Sequence, residues 1–418
     1  MPLPMFSIFS WSTYAVVWLR KQLSDQSWST FASAAAFIIF IASTFFIPGH
    51  AVPVIMIILT ALMAFHSGAA AETFRKNTWL WGCWAFFGAW MILGIAVAGP
   101  EYKISDFFNL VLLVAFSLSV AQVSRALSTR QILSILAIAG GASAFASLVL
   151  HIVSGGDFFD RLEPLGRGRN PIPGAGGFAI ALIALAALWF ERIPGRRPAP
   201  LGIALTATLL LALACTQSRA PTISLGLALL LALWLNKQGG IAAILAACGG
   251  AWLMIAGLGI LEPTIKALIC GSDADWCRPA YRSEIWGWVR DQIALHPMLG
   301  TGPSFRFQKV WMSHPHNGLF GIAMYYGLPA LAAFWIMIGF QARALARQSN
   351  RSLRFFGLAS LIFSFGYMGT DLPNPFAFFH MHYLFLWLPF FLVLASGQAT
   401  AQDGGETAFS GSDGFRRI

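Results

Sequence analysis

The sequence predicts an all-α, polytopic integral membrane protein with about twelve transmembrane helices and one large outer loop carrying short helices. Hydrophobic residues make up 57% of the 418 residues and charged residues 11%. The mean hydropathy is +0.68, outside the range of soluble globular chains. Apolar runs recur at about the 20 residues a helix needs to cross hydrocarbon, where each backbone N–H and C=O must be paired within its own segment. No run alternates apolar and polar residues as a barrel strand would.

Residues 1–28 are mixed, with Trp11, Tyr14 and Trp18 at helical spacing followed by Arg20 and Lys21. They predict a cytoplasmic amphipathic segment lying at the membrane interface. Met1-Pro2-Leu3-Pro4 lacks the basic region and cleavage site of a secretory signal, so the first spanning helix is expected to direct insertion. Residues 29–261 then hold nine predicted spans, at about 31–47, 51–71, 78–98, 104–123, 131–153, 174–191, 199–217, 220–236 and 240–261. The large loop occupies 262–316, and spans at about 317–341, 355–370 and 380–397 complete the twelve. Residues 398–418, rich in Gly, Ser, Thr and Gln, are expected to form a disordered cytoplasmic tail.

Basic residues fix the predicted orientation. With the amino terminus inside, Arg75, Lys76, Arg125, Arg130, Arg192, Arg196, Arg197, Lys237, Arg343, Arg347, Arg351 and Arg354 all fall in inner connections. The formal charge of +10 is thus spread over loops, and no nucleic-acid partner is expected. Against that pattern Arg161, Arg167, Arg169, Arg219, Arg278, Arg282, Arg290 and Arg306 face outward, where insertion disfavours them. Outward arginines suggest an anionic ligand. Cys83, Cys215 and Cys248 lie in apolar spans and read as small buried side chains, whereas Cys270 and Cys277 share the large loop, where a disulfide or two free thiols both fit.

Several stretches could carry chemistry, and each also has a plain structural reading. Ser218-Arg219-Ala220-Pro221 is a tight turn in which Pro221 suits a first helical turn and Ser218 could cap it. Arg219 would then stand at a helix amino terminus, which favours an anion such as phosphate, or else reach to lipid headgroups. Arg161, Arg167 and Arg169 sit in a Gly/Pro-rich loop, with forked guanidinium groups suited to phosphate, while Asp157, Asp160 and Glu163 could hold them in surface ion pairs. Tyr281–Arg290 reads as a helix along the membrane surface, with Arg282 and Trp286 one turn apart and its tryptophans at headgroup level. His314-Pro315-His316-Asn317 opens the tenth span: Asn317 suits a helix cap, and His316 beside a helix amino terminus is held neutral, the form a general base needs. Two histidines at i, i+2 without partners make no metal site.

These stretches together resemble the O-antigen ligase family, within a superfamily that includes O-antigen polymerases and bacterial O-oligosaccharyltransferases. His316-Asn317 with Gly327 eleven positions after the histidine resembles its signature; Ser218-Arg219 resembles a second landmark, although Ala220 stands where the family has glycine. Arg161 ahead of Gly166 and Asn170-Pro171 resembles a third landmark, and His296–Gly302 resembles the turn before the histidine. The resemblance implies a multi-pass bacterial inner-membrane protein with both termini cytoplasmic and a large periplasmic loop. It implies a metal-independent, inverting transfer with no cofactor. The donor would be an undecaprenyl diphosphate-linked glycan and the acceptor, in the ligase branch, a hydroxyl of lipid A–core oligosaccharide, with membrane lipids around both. His316, Arg219 and Arg282 are then the expected catalytic residues, and Arg161, Arg167, His314 and Asn317 the expected substrate-binding ones. Polymerase and O-oligosaccharyltransferase are the nearest alternatives; the latter often carries an added soluble domain for which the short tail leaves no room. A polytopic lipid or solute transporter is the alternative of another class. It would require ionisable residues near the bilayer midplane, which Glu72 and Asp106, at span ends, do not supply.

Overall fold

The computed structural model describes residues 28–97, 101–157, 160–190, 200–269, 281–307 and 314–396. The interfacial segment 1–28, apart from Trp28, the Cys270–Cys277 pair and the tail from 398 lie outside the described residues, as do Arg192, Arg196 and Arg197. The described chain folds as α1 (Trp28–Phe46), α2 (Ala51–His66), α3 (Ala69–Lys76), α4 (Thr78–Val97), α5 (Ile104–Ala126), α6 (Thr129–Val153), α7 (Pro171–Trp189), α8 (Pro200–Cys215), α9 (Arg219–Gln238) and α10 (Ile241–Ile269). There follow α11 (Arg282–Leu295), α12 (Gly318–Tyr326), α13 (Leu328–Arg347), α14 (Arg351–Met368) and, after a π-helical turn at Tyr383–Trp387, α15 (Leu388–Ser396).

A helix occupies each of the twelve predicted runs. Among the described residues eight helices, rather than twelve, are long and apolar enough to cross a membrane, and α2 with α3, bent by 84°, adds a ninth if the pair is one span. The bend falls at Gly68, whose φ of 74° no L side chain adopts easily. Exposed apolar side chains such as Phe145, Leu230, Trp234, Leu253 and Ile336 cover the outer faces, as a lipid-facing surface requires.

Local chemistry explains the helix starts. Ser128 and Gln131 form a capping box at α6, Asn170 accepts from the Ile172 N–H just ahead of Pro171-led α7, and Asn350 accepts from Leu353 N–H at α14. Ser218, predicted to cap α9, makes no cap hydrogen bond; its hydroxyl turns back to the Thr216 carbonyl at 3.3 Å. Gln217 immediately before Ser218 has a left-handed φ of 51°.

The core is organised around α14, nearly all of whose residues from Ser352 to Met368 are buried. Antiparallel α9 runs along it: the Arg354 guanidinium donates to the Leu235 and Gly239 carbonyls at 3.3 and 2.9 Å, and Gly366 lies against Ser224. Arg354 and Lys237 therefore share one end of the bundle, with Ser352 bonded to the Ala187 carbonyl there. The start of α9 and the end of α14 lie at the other end, about 30 Å away for a helix of this length.

The predicted continuous tenth span, 317–341, is broken. At Gly327, with φ 87° and ψ 172°, α12 stops and α13 begins. A Cβ there would sit 1.6 Å from the Met298 carbonyl oxygen, so only glycine lets the two segments meet. The His296–Gly302 turn is what presses on this break. Leu328 N–H donates to the Pro297 carbonyl at 2.8 Å, and the N–H groups of Thr301 and Gly302 donate to the Met324 and Tyr325 carbonyls. Helix α10 also runs past Pro263 to Ile269, which makes Glu262 helical rather than the first residue of a loop.

Candidate active site

The polar end of the bundle is assembled from segments far apart in sequence. Glu262, near the end of α10, accepts from Arg282 Nη1 at 2.6 Å and lies 3.8 Å from Arg219 Nη1, so one carboxylate stands between the two arginines predicted to be catalytic. Asp371, just past α14, lies 3.6 Å from Arg282 Nη2. The exposures are graded: 54% for the Arg219 side chain, 19% for Arg282, 13% for Glu262 and 4% for Asp371. Arg219 is thus the outermost of the four, and a charged ligand arriving from solvent would meet it first.

Gly259 lets this cluster close. A Cβ at that position would lie 3.1 Å from the Trp286 ring, 3.3 Å from Arg282 Cδ and 3.3 Å from Thr370 Cγ2, so α10, α11 and the end of α14 converge on a residue with no side chain. Trp286, predicted at headgroup level, is instead buried; its Nε1 donates to the Pro315 carbonyl at 3.0 Å and its ring meets Phe320 edge-on. That hydrogen bond ties α11, and Arg282 with it, to the histidine loop. Trp288 packs on Phe305 and Phe307.

In the histidine loop, Asn317 caps α12 by accepting from Phe320 N–H at 3.1 Å. Its Oδ1 also accepts from Trp252 Nε1 at 3.2 Å, and its Nδ2 donates to the Gly369 carbonyl at 3.1 Å. With 0% exposure and these three bonds, Asn317 fixes the loop against α10 and α14 from within. His316 immediately before it adopts a left-handed φ of 50°, a conformation uncommon outside glycine that histidine takes more readily than most side chains. The His314 and His316 rings lie 3.8 Å apart between centroids, and His316 N–H donates to His314 Nδ1 at 3.3 Å.

Both imidazoles are neutral at pH 7. Burial first, and then the Arg282 charge, hold the His316 pKa down to about 4, against a hydrogen bond to the Thr370 backbone that raises it. Burial and then His316 lower His314 to about 4 as well, with Asp371 opposing. The Thr370 bond occupies one ring nitrogen of His316, and in the neutral ring the other keeps its lone pair for accepting a proton.

Arg161 joins from the side. Its Nε donates to the Thr216 carbonyl at 3.0 Å and its Nη2 to Ser218 Oγ at 3.4 Å, which sets it beside the turn leading into Arg219. Arg167 is directed elsewhere: its Nη1 and Nη2 donate to the Pro48 and Phe379 carbonyls at 3.1 and 3.0 Å, tying the loop before α7 to two others, and burial lowers its pKa. Arg169 makes the surface ion pair expected of it, 3.8 Å from Glu163. Arg219, Arg282, His314 and His316 are thus brought together with Arg161 alongside, while the contacts of Arg167 lie outside the group. The two carboxylates are the members that sequence reasoning missed. Asp371 is the lone acid in 318–397, and Glu262 stands at the end of an apolar run directly before a proline. Either oddity marks a charge kept where hydrocarbon or a helix would not call for it.

Fold and site together define a multi-pass helical membrane protein with an arginine–imidazole centre at one end of its bundle. Residues 204–335 match the family model described as O-antigen ligase, so that stretch is similar to the family. The matched stretch carries Arg219, Glu262, Arg282, His314 and His316, whereas Arg161 and Asp371 lie outside it. No curated protein matches the chain.

Proposed function

We propose that the protein is an O-antigen ligase of the bacterial inner membrane, moving a glycan from undecaprenyl diphosphate to a hydroxyl of lipid A–core oligosaccharide on the periplasmic face. The observation that carries this reading is the convergence of Arg219, Arg282 and His316 on one end of the bundle, with His316 neutral. In the reaction the acceptor oxygen attacks the anomeric carbon from the face opposite the diphosphate, and configuration inverts. As the C–O bond to the diphosphate breaks, its electron pair leaves with the phosphate oxygen. The hydroxyl proton passes to the free ring nitrogen of His316. Arg219 and Arg282, aided by Arg161, offset the charge growing on the departing diphosphate and so act mainly in the transition state. Once a diphosphate sits on Arg282, the cation that depresses the His316 pKa is balanced, and the base strengthens when it is needed.

Reconstitution of the purified protein in lipid tests this reading, with an undecaprenyl diphosphate-linked glycan as donor and a chelator present. Product on lipid A–core is the expected result. Chain growth on a second donor molecule would instead make the protein a polymerase, and a requirement for divalent metal would overturn the mechanism.

A further inference from the structure

The two arginines that would hold a diphosphate both face carboxylates. Glu262 hydrogen-bonds Arg282 at 2.6 Å and stands 3.8 Å from Arg219, while Asp371 faces the other side of Arg282 at 3.6 Å. Among the described residues, these two cations therefore meet two carboxylates. A ligand with two negative charges that reaches both guanidinium groups competes with these carboxylates, and is bound more firmly if one of them yields its place. Asp371 is nearly sealed, whereas Glu262 is more exposed and sits on the side that Arg219 opens to solvent. Glu262 also lies at the Pro263 step of α10, where the proline lacks the N–H that would bond back to the Gly259 carbonyl and the helix is less firmly held. Arg282 has donor capacity to spare: its buried Nε has no acceptor among the described residues.

We propose that Glu262 is a resting counter-ion, occupying with its two oxygens the places of two phosphate oxygens between Arg219 and Arg282, and that the donor diphosphate has to displace it. The inference rests on the diphosphate reading of this site and adds what governs entry to it. The carboxylate stands 2.6 Å from one guanidinium group and 3.8 Å from the other, so a ligand that reaches both has to take its place. It also makes binding a competition that a singly charged or neutral headgroup loses, so abundant phospholipids do not occupy the site. After transfer, return of Glu262 to the arginines helps expel the undecaprenyl diphosphate product.

Binding of inorganic pyrophosphate to the full chain in lipid nanodiscs, followed by calorimetry, reads this directly. Glu262→Gln keeps the size and an oxygen acceptor for Arg282 while removing the competing charge. It should tighten pyrophosphate binding by roughly tenfold, the scale of one charge-assisted hydrogen bond, and slow release of product. Glu262→Asp, which keeps the charge on a shorter arm, should fall between the two, and it serves if the amide variant is poorly folded. Unchanged or weaker binding in Glu262→Gln, with binding still lost in Arg282→Ala, would overturn the counter-ion role and leave the diphosphate site standing. Failure of both the parent chain and Glu262→Gln to bind pyrophosphate would remove the site itself, and this proposal with it.

Discussion

Truncating Asn317 separates a residue that positions the base from one that touches substrate. Asn317→Ala removes the α12 cap, worth about 1 kcal/mol. It also removes two more hydrogen bonds, to Trp252 and Gly369, and leaves buried partners unsatisfied at about 1–3 kcal/mol each. The sum, about 3–7 kcal/mol, is large against the stability of most domains, about 5–15 kcal/mol. Asn317→Ser should restore the cap alone, recovering about 1 kcal/mol. Thermal unfolding in detergent gives the order: parent, then serine, then alanine. Because Asn317 anchors the residue after His316, transfer should also fall, by on the order of 100-fold for a displacement near 1 Å. Donor affinity should hold, since Arg219 and Arg282 are fixed by α9 and α11. If the alanine variant unfolded like the parent, the accounting of its buried bonds would be wrong. If it lost donor binding as steeply as turnover, Asn317 would be a ligand contact instead.

His316→Ala should abolish transfer while leaving pyrophosphate binding intact, and near-normal transfer would exclude His316 as base. With its pKa near 4 in the free protein, the acid limb of kcat/KM should lie near pH 4, and a limb at 6.5 would contradict the buried, Arg282-facing environment. Stability follows the same groups with a definite sign: both folded-state values lie below the ordinary 6.5, so the unfolded chain takes up protons first. Stability should therefore be level above about pH 6.5 and decline by a few kcal/mol toward pH 4, which pH-dependent unfolding of the parent against His314→Gln will show. Gly327→Ala should prevent folding or leave a protease-sensitive protein, because the added carbon overlaps the Met298 carbonyl; normal expression and melting would show that the α12–α13 break can relax.

Much of the fold could be read from hydropathy, because lipid imposes one rule on every segment: stay apolar and pair the backbone internally. That rule locates the twelve apolar runs and says nothing about where a run breaks or about the polar helices α3 and α11. The Gly327 break lies inside an unbroken apolar stretch and exists because another loop presses a carbonyl against it, a tertiary fact. Arg219 and Arg282 stand out as outward arginines, whereas His316 is singled out by the resemblance of His316-Asn317 to the O-antigen ligase signature. Their partners could not be picked out. Glu262 looks like the edge of a loop until α10 is seen to continue through Pro263, and Asp371 gains its meaning only when α14 is laid antiparallel to α9. Arg167 shows the converse: an outward arginine whose bonds go to two backbone carbonyls, serving to fasten loops.

The left-handed backbone at His316 sets two demands on the chain against each other. At φ 50° glycine would rest more comfortably than any residue with a Cβ. A chain shaped by durability alone would place glycine there, so exchanging the imidazole for a hydrogen atom should silence the protein while making that turn easier to form. Histidine accepts such a turn more readily than most side chains, and glycine more readily still, so the imidazole stands there at a small cost in backbone ease.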